Sequence, residues 1–426
     1  MPKPALPSLA AEPWLRRDET QRVLAALAAA GHEGRIVGGA VRNALLGKPV
    51  ADIDIATPAT PQEVIKAAAA SGLQVIPTGL AHGTVTVICN HVPHEVTTLR
   101  RDVATDGRHA IVAFTRDWTA DAARRDFTIN ALYCDAAGTV HDPLDGYRDL
   151  AARRVRFIGS ADARISEDYL RILRFFRFHA EHGAGEMDGE GLAACVRGRG
   201  GLGQLSAERI RAEMLKLAVA TRALDALAAI RDHGLLLAVL GAVPRLGAFA
   251  RLIAIEGALR LTPDAVRRIG CLSLHVAEDA GRLASRLRLS NSESGVLESL
   301  VCPQAMRLHA GLAERDAKIL LYGMREAAWT HAALARWAWS DADVASEDWR
   351  QLLALPGRWP IPVFPVRGAD LVALGLPAGP RVGDILRQLE AAWIAGDFTD
   401  GRAALLKQAA LVLSEGTPTA APPEAR

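Results

Sequence analysis

The chain has 426 residues, of which half are apolar, 23% charged and 5% aromatic. That is enough apolar material to bury one or more cores, so a wholly disordered chain is excluded, and at ~150 residues per domain the length suggests about three domains. Lys plus Arg number 50 against 48 for Asp plus Glu, a net charge of +2. A basic coat is therefore excluded, and any polyanion-binding surface must come from local clustering.

At the N-terminus Pro2, Lys3, Pro4, Pro7, Glu12 and Pro13 interrupt any apolar run, so no signal peptide is expected. Residues 21–30 read as a helix, followed by a short strand over 35–37, a Gly38-Gly39 break and a helix over 40–46. Residues 51–56 alternate apolar and acidic side chains, which is strand periodicity. A helix over 61–70 follows, with Thr60 as its N-cap. Residues 84–89 and 94–99 read as a hairpin across 90–93, and the charged stretch 100–109 as a loop. Together these form a small mixed sheet with helices on one side. After about Arg153 helical patterns dominate, punctuated by Gly and Pro near 198–203, 303, 356–365 and 377–380. The fold class is α+β: a mixed head followed by a long helical body. Residues 415–426, rich in Pro, Thr and Ala, read as a disordered tail. No run of 18 uncharged apolar residues occurs, so no membrane span is expected. Cys89, Cys134, Cys195, Cys271 and Cys302 stand far apart with no CxxC, which fits a reducing, cytoplasmic setting.

Three clusters carry chemistry. Asp52 and Asp54, at i and i+2 of the predicted strand, point to one face. Two carboxylates that close repel unless a cation lies between them, and oxygen ligands suit Mg²⁺, which keeps waters and shares substrate phosphates. Glu95, on the second hairpin strand, supplies a possible third carboxylate. Each of these alone reads most simply as a solvated strand face. The context differs: Gly38-Gly39-Ala40-Val41-Arg42 stands between a strand and a helix about ten residues earlier. Glycines there allow backbone N–H groups to approach phosphate oxygens, and Arg42 can fork onto a phosphate. The stretch is neither GxGxxG nor a Walker A loop. The acidic pair and the glycine turn, taken together as one cluster, suggest a triphosphate and a metal.

The second cluster is Arg124-Arg125-Asp126-Phe127-Thr128-Ile129-Asn130, whose plain reading is a helix start with a solvated basic turn. The third runs over 167–177. On one continuous helix Asp168, Arg171, Arg174 and Arg177 drift down one side, with Ile172, Leu173, Phe176 and Ala180 opposite. Residues 153–177 hold seven arginines against Asp162, Glu167 and Asp168, a local +4. A face laced with i,i+3 and i,i+4 ion pairs is the simpler account. The chemical one is that a carboxylate accepts from an exocyclic amine while a guanidinium donates to a ring acceptor. Asp168 with Arg171 then matches the Watson–Crick edge of cytosine or adenine. Uracil and guanine would leave polar groups unpaired, at about 1–3 kcal/mol each.

With these motifs in order, the sequence resembles class II tRNA nucleotidyltransferases, the CCA-adding enzymes, and the related bacterial poly(A) polymerases. The matching stretches are VGGAVRNALL from Val37, DIDIAT from Asp52, HGTVT from His82, EVTTL from Glu95, RRDFTINAL from Arg124, DPLDGYRDL from Asp142, and residues 167–177. The resemblance returns over 368–398. It implies a polymerase-β-like nucleotidyltransferase palm over 1–152, then an all-helical neck (153–222), body (223–360) and tail (361–414). It implies Asp52, Asp54 and Glu95 as catalytic, Mg²⁺-binding carboxylates. Gly38, Gly39 and Arg42 become triphosphate contacts, Arg125 a nucleotide-binding arginine, and Asp126 and Asn130 sugar or turn residues. Asp168 and Arg171 resemble the protein template that reads the base, with Arg174 and Arg177 beside it. The stretch 100–109 sits where the family has a flexible element tied to the switch from C to A addition. Asn43 stands where relatives commonly have Asp, and no His-Asp phosphohydrolase domain follows. The implied activity transfers CMP and AMP from CTP and ATP to the 3′ end of tRNA without a nucleic-acid template. Poly(A) polymerase and a catalytically inactive RNA-binding relative are the alternatives. The latter should have lost a carboxylate, and all three are present.

Overall fold

The computed structural model describes residues 5–106 and 109–415. The chain divides into two compact units, one of residues 1–246 with 282–289 and one of 247–281 with 290–426.

The first unit opens with helix α1 (Asp18–Ala29), which buries Thr20, Val23, Leu24, Ala26 and Leu27. Strand β1 (Arg35–Val37) turns at Gly38 into helix α2 (Gly39–Leu45). Gly38 has φ 71 and ψ −116, a conformation L side chains rarely adopt, so glycine is required there. Strand β2 (Asp54–Thr57) leads to helix α3 (Pro61–Ala70), which begins at the expected Thr60 with a full capping box to Glu63. Strand β3 (Gln74–Gly79) is followed by β4 (Thr84–Cys89) and β5 (Val92–Thr98). Asn90 and His91 take φ 50 and 65 in a two-residue hairpin turn, shorter than the expected 90–93, so β5 starts at Val92 rather than at His94. Strands β6 (Arg100–Asp106) and β7 (His109–Phe114) pair with each other in a separate two-stranded sheet. Helix α4 (Trp118–Ala123), a 3₁₀ turn over Thr128–Asn130, and strands β8 (Tyr133–Cys134) and β9 (Val140–His141) follow. The main sheet runs β3-β4-β5-β2-β1-β8-β9. Only β2 and β5 pair in parallel, with Asp54 opposite Glu95 and Ile55 opposite Val96. Helices α1 and α3 pack on each other and on β4 and β5.

Helices α5 (Gly146–Ala151), α6 (Ala161–Glu167), α7 (Leu170–His182), α8 (Gly189–Arg197) and α9 (Ala207–Ala218) continue this unit. Helices α7 and α9 pack on each other. The second unit is helical, with two apolar clusters. One centres on Trp329, Trp337 and Trp349, the other on Tyr322, Leu371, Trp393 and Leu405. Among the described residues no helix is long and apolar enough to cross a membrane.

Four expectations need correction. Strand β2 starts at Asp54, so Asp52 lies in its lead-in. Pairing with β1 ends at Val37–Asp54, where Gly38 turns away, and on the other side the register would set Asp52 against Pro93, which has no N–H. The alternation survives: Ile53 and Ile55 are buried, Asp52 and Asp54 exposed. The stretch 100–109 is not a loop. Residues 100–106 and 109 are strand, while 107–108 lie outside the described residues; Asp106-Gly107 beside the apolar run 110–114 is a hairpin signal that the charges masked. Arg124 closes α4 instead of opening a helix. Finally, 167–177 is not one helix. Asp168 is extended (φ −157, ψ 105), and its Oδ1 accepts from Leu170 N–H at 3.1 Å. That local bond competes with helix continuation and sets α6 and α7 apart. Of the expected tail, Glu415 ends the last helix, Arg402–Glu415, and 416–426 lie outside the described residues.

Candidate active site

The parallel register sets Asp54 and Glu95 on neighbouring strands, both exposed and pointing away from the buried His94 and Val96. Asp52, Asp54 and Glu95 line one cavity, with Thr86 and Arg17 at its walls. Asp54 touches solvent, yet the surrounding protein, then the Glu95 charge and more weakly Asp52, hold its carboxyl above the usual range, against the pull of Arg125. Crowded anions of this kind are what a divalent cation relieves. The donors are all oxygen, and among the described residues no three His, Cys, Asp or Glu groups stand close enough together to hold a metal ion by themselves. An open, oxygen-only set fits Mg²⁺, which retains waters and substrate oxygens.

Asp54 also borders a second, open cleft of about 500 Å³. Gly38, Gly39, Arg42, Arg125, Asp126, Asn130, Asp168, Arg171 and Arg174, nominated from three separate stretches, all line it. Arg177 does not. It is 7% exposed, bonded to Glu213 Oε2 at 2.5 Å and to Glu181 Oε2 at 2.8 Å. The every-third-residue drift that sets it beyond Arg174 carries it round towards α9, where the Glu213 and Glu181 carboxylates hold it.

A chain of bonds crosses the cleft wall. Arg42 Nη1 donates to Asn130 Oδ1 at 2.5 Å, Asn130 Nδ2 to Asp126 Oδ1 at 2.9 Å, and Arg174 Nε to Asp126 Oδ2 at 2.7 Å. Asp126 thus orders the turn and ties it to α7; its burial raises its carboxyl, but Arg174, Asn130 and the Phe127 N–H more than offset this and hold it low. Arg42 is buried and its guanidinium is pushed down to about 10, chiefly by burial. Asn43 Oδ1 accepts from Arg42 Nε and Nη2 at 3.1 and 2.9 Å, so the departure at 43 leaves a neutral partner for that cation. Arg125 donates from Nη2 to Asp121 Oδ2 at 3.1 Å, while its buried Nε has no partner. An orphaned buried donor in a cleft wall suits an anionic or carbonyl oxygen from a ligand.

Sequence reading missed several parts. Asp121, 1% exposed, accepts from Arg124, Arg125 and the Tyr133 hydroxyl. Its i,i+3 and i,i+4 spacing to the two arginines was a usable signal. Glu167 Oε2 accepts from Arg171 Nη1 at 2.5 Å and pairs with Arg164 Nη1 at 2.6 Å. Phe178 offers its ring to Arg42 and Arg174 at 5.1 and 5.0 Å. Arg209, on α9, lines the cleft and reaches Asp168 Oδ2 at 2.6 Å. Forty-one positions separate Arg209 from Asp168, so no local pattern announces it.

Residues 34–156 match the family described as the Poly A polymerase head domain. The mitochondrial CCA tRNA nucleotidyltransferase 1 of Danio rerio is 37% identical over 368 residues, covering 85% of this chain and 83% of that protein. The Homo sapiens protein of the same name is 35% identical over 374 residues, again 85% and 83%. Among solved structures, the CCA-adding enzyme of Bacillus stearothermophilus in complex with CTP superposes with a TM-score of 0.72 at 26% identity, covering 94% of this chain and 98% of that one. With two carboxylate-bearing strands, an arginine-lined cleft and relatives matched along most of their length, the chain belongs to the CCA tRNA nucleotidyltransferase family.

Proposed function

We propose that this protein transfers CMP and AMP from CTP and ATP to the 3′ end of tRNA, releasing pyrophosphate and using no nucleic-acid template. The observation that carries the reading is Asp54, which belongs both to the carboxylate cavity and to the arginine cleft. One pocket suits metal and the acceptor hydroxyl, the other a nucleoside triphosphate, and the reacting phosphorus belongs between them.

Asp52, Asp54 and Glu95 would hold Mg²⁺. When bound, the metal activates the 3′-hydroxyl and stabilises charge on the leaving pyrophosphate. Arg42 and Arg125, with the Gly38-Gly39 backbone, bind the triphosphate. Asn130 and Asp126 fix Arg42 and Arg174 in place, so the cleft is organised before the nucleotide arrives. Asp168 accepts the exocyclic amine of cytosine or adenine and Arg171 donates to the adjacent ring acceptor. Residues 1–152 act as head, 153–222 as neck, 223–360 as body and 361–414 as tail, the helical parts meeting the RNA backbone, so affinity falls as salt rises. We place the enzyme in the cytoplasm, on the ground that all five cysteines lie among the described residues and none forms a disulfide. The Danio and human relatives are named as mitochondrial.

The test is a tRNA transcript lacking its last three nucleotides, incubated with labelled CTP and ATP separately and together. Two C additions with CTP alone, completed by one A when ATP is present, support the reading. Long A tracts without C would make the enzyme a poly(A) polymerase, the activity for which the head-domain family is named.

A further inference from the structure

Asp168 occupies an unusual place for a residue asked to read a base. It sits in the extended break between α6 and α7, where its carbonyl accepts from the Arg171 N–H of α7 at 3.0 Å but its own φ/ψ are not helical. Its side chain is nevertheless held at both oxygens. Oδ1 accepts from Leu170 N–H at 3.1 Å and Oδ2 from Arg209 Nη2 at 2.6 Å. The first bond is local and moves with the break. The second comes from α9, a separate helix that packs along α7. Arg171 has a different anchor, Glu167.

We infer that Arg209 is a positioning residue for base selection: it holds the Asp168 carboxylate in the orientation that accepts an exocyclic amine. This rests on the base-reading role proposed above for Asp168. Two physical points carry it. An aspartate tied only to a neighbouring N–H can rotate about χ1, whereas a charge-assisted bond to a guanidinium on another helix fixes it. The cleft also contains Arg174, whose charge already feels Asp168. Without Arg209, Asp168 gains a competing partner there, and its acceptor lone pairs turn from the base to a cation. Because Arg171 is anchored separately, the defect falls on amine against carbonyl, that is on C against U and A against G.

The experiment measures kcat/KM for CTP and UTP on tRNA lacking its terminal CCA. It uses Arg209→Gln, Arg209→Lys, Asp168→Ala and the double variant Asp168→Ala/Arg209→Gln. The CTP:UTP ratio should fall at least tenfold in Arg209→Gln and less in Arg209→Lys, which keeps a cation. The double variant should discriminate no worse than Asp168→Ala alone. A purely structural role would lower both substrates by one factor and leave the ratio unchanged, which overturns the inference while Asp168→Ala still loses selectivity. Independent, multiplying effects in the double variant would also overturn it, because Arg209 would then act without Asp168. If Asp168→Ala itself keeps full selectivity, the base-reading role fails and takes this inference with it. Arg209→Lys keeps the test open should Arg209→Gln fold poorly.

Discussion

Asp121→Asn is the perturbation whose consequences the structure specifies most fully. Asp121 Oδ1 accepts from Arg124 Nε at 2.8 Å and from Arg100 N–H at 3.3 Å, and Oδ2 from Arg125 Nη2 at 3.1 Å and the Tyr133 hydroxyl at 2.8 Å. Asparagine keeps one oxygen and turns an NH₂ towards two of these four donors. The carboxylate is 1% exposed, so water cannot take its place. Breaking a buried pair in this way costs roughly 3–5 kcal/mol. At about 2–4 °C per kcal/mol for a unit of this size, Tm should drop by roughly 6–20 °C. Tyr133→Phe, which removes a single donor, should cost only about 1 kcal/mol. Burial raises the Asp121 carboxyl, but Arg125 and Arg124 outweigh it and the folded value is lowered. The stabilisation is therefore fully present above the unfolded carboxylate value of about 3.9 and fades as pH falls through the folded one. Differential scanning calorimetry between pH 3 and 8 reads this directly. Single-turnover CMP addition should slow in parallel, because Arg125 loses its holder. A Tm within 2 °C of wild type with unchanged CTP kinetics would mean that Asp121 neither stabilises the head nor holds Arg125.

Asp52→Ala, Asp54→Asn and Glu95→Gln should each lower kcat by ~10²-fold or more, the loss of several kcal/mol of transition-state charge stabilisation, while CTP binding by equilibrium dialysis changes little. His182 is buried and its imidazole is pushed down to about 4 by burial, against the Glu181 bond, with Arg42 and Lys48 adding. The unfolded chain therefore takes up a proton first, and stability falls as pH drops from about 6.5 towards 4, by up to roughly 3 kcal/mol; His182→Gln should flatten that part of a urea-unfolding pH profile. In Gly201→Ala the new Cβ would lie 2.1 Å from Cδ1 of Tyr169, next to Asp168. Overpacking there should cost about 1–3 kcal/mol and reduce CTP:UTP selectivity, checked by thermal melts and competition assays.

Much of the head was legible because its signals are local. The Thr60 cap, the Asn90-His91 turn and the alternation around Asp54 each depend on a few neighbours. So did most of the site, since strand register and a strand-to-helix turn carry Asp54, Glu95, Gly38 and Arg42 to one place. Periodicity misled where a side chain overrode it. Asp168 satisfies Leu170 N–H and breaks a pattern that otherwise reads as one helix. Arg177 sits on the expected face, but Glu213 from α9 draws it inward. Arg209 lines the cleft, and Glu213 reaches Arg174 and Arg177, through tertiary packing alone, and no spacing along the chain encodes such contacts.

The proposed chemistry requires that the carboxylates of Asp52, Asp54 and Glu95 gather a divalent ion beside a nucleoside triphosphate held by Arg42 and Arg125. Crystals grown with CTP and Mn²⁺ in place of Mg²⁺, measured at the manganese edge, test it most directly. An anomalous peak at the Asp52 and Asp54 carboxylates, beside the phosphate oxygens, is the expected result. Phosphates bound in the cleft with no peak at these carboxylates, or a peak elsewhere, would contradict it.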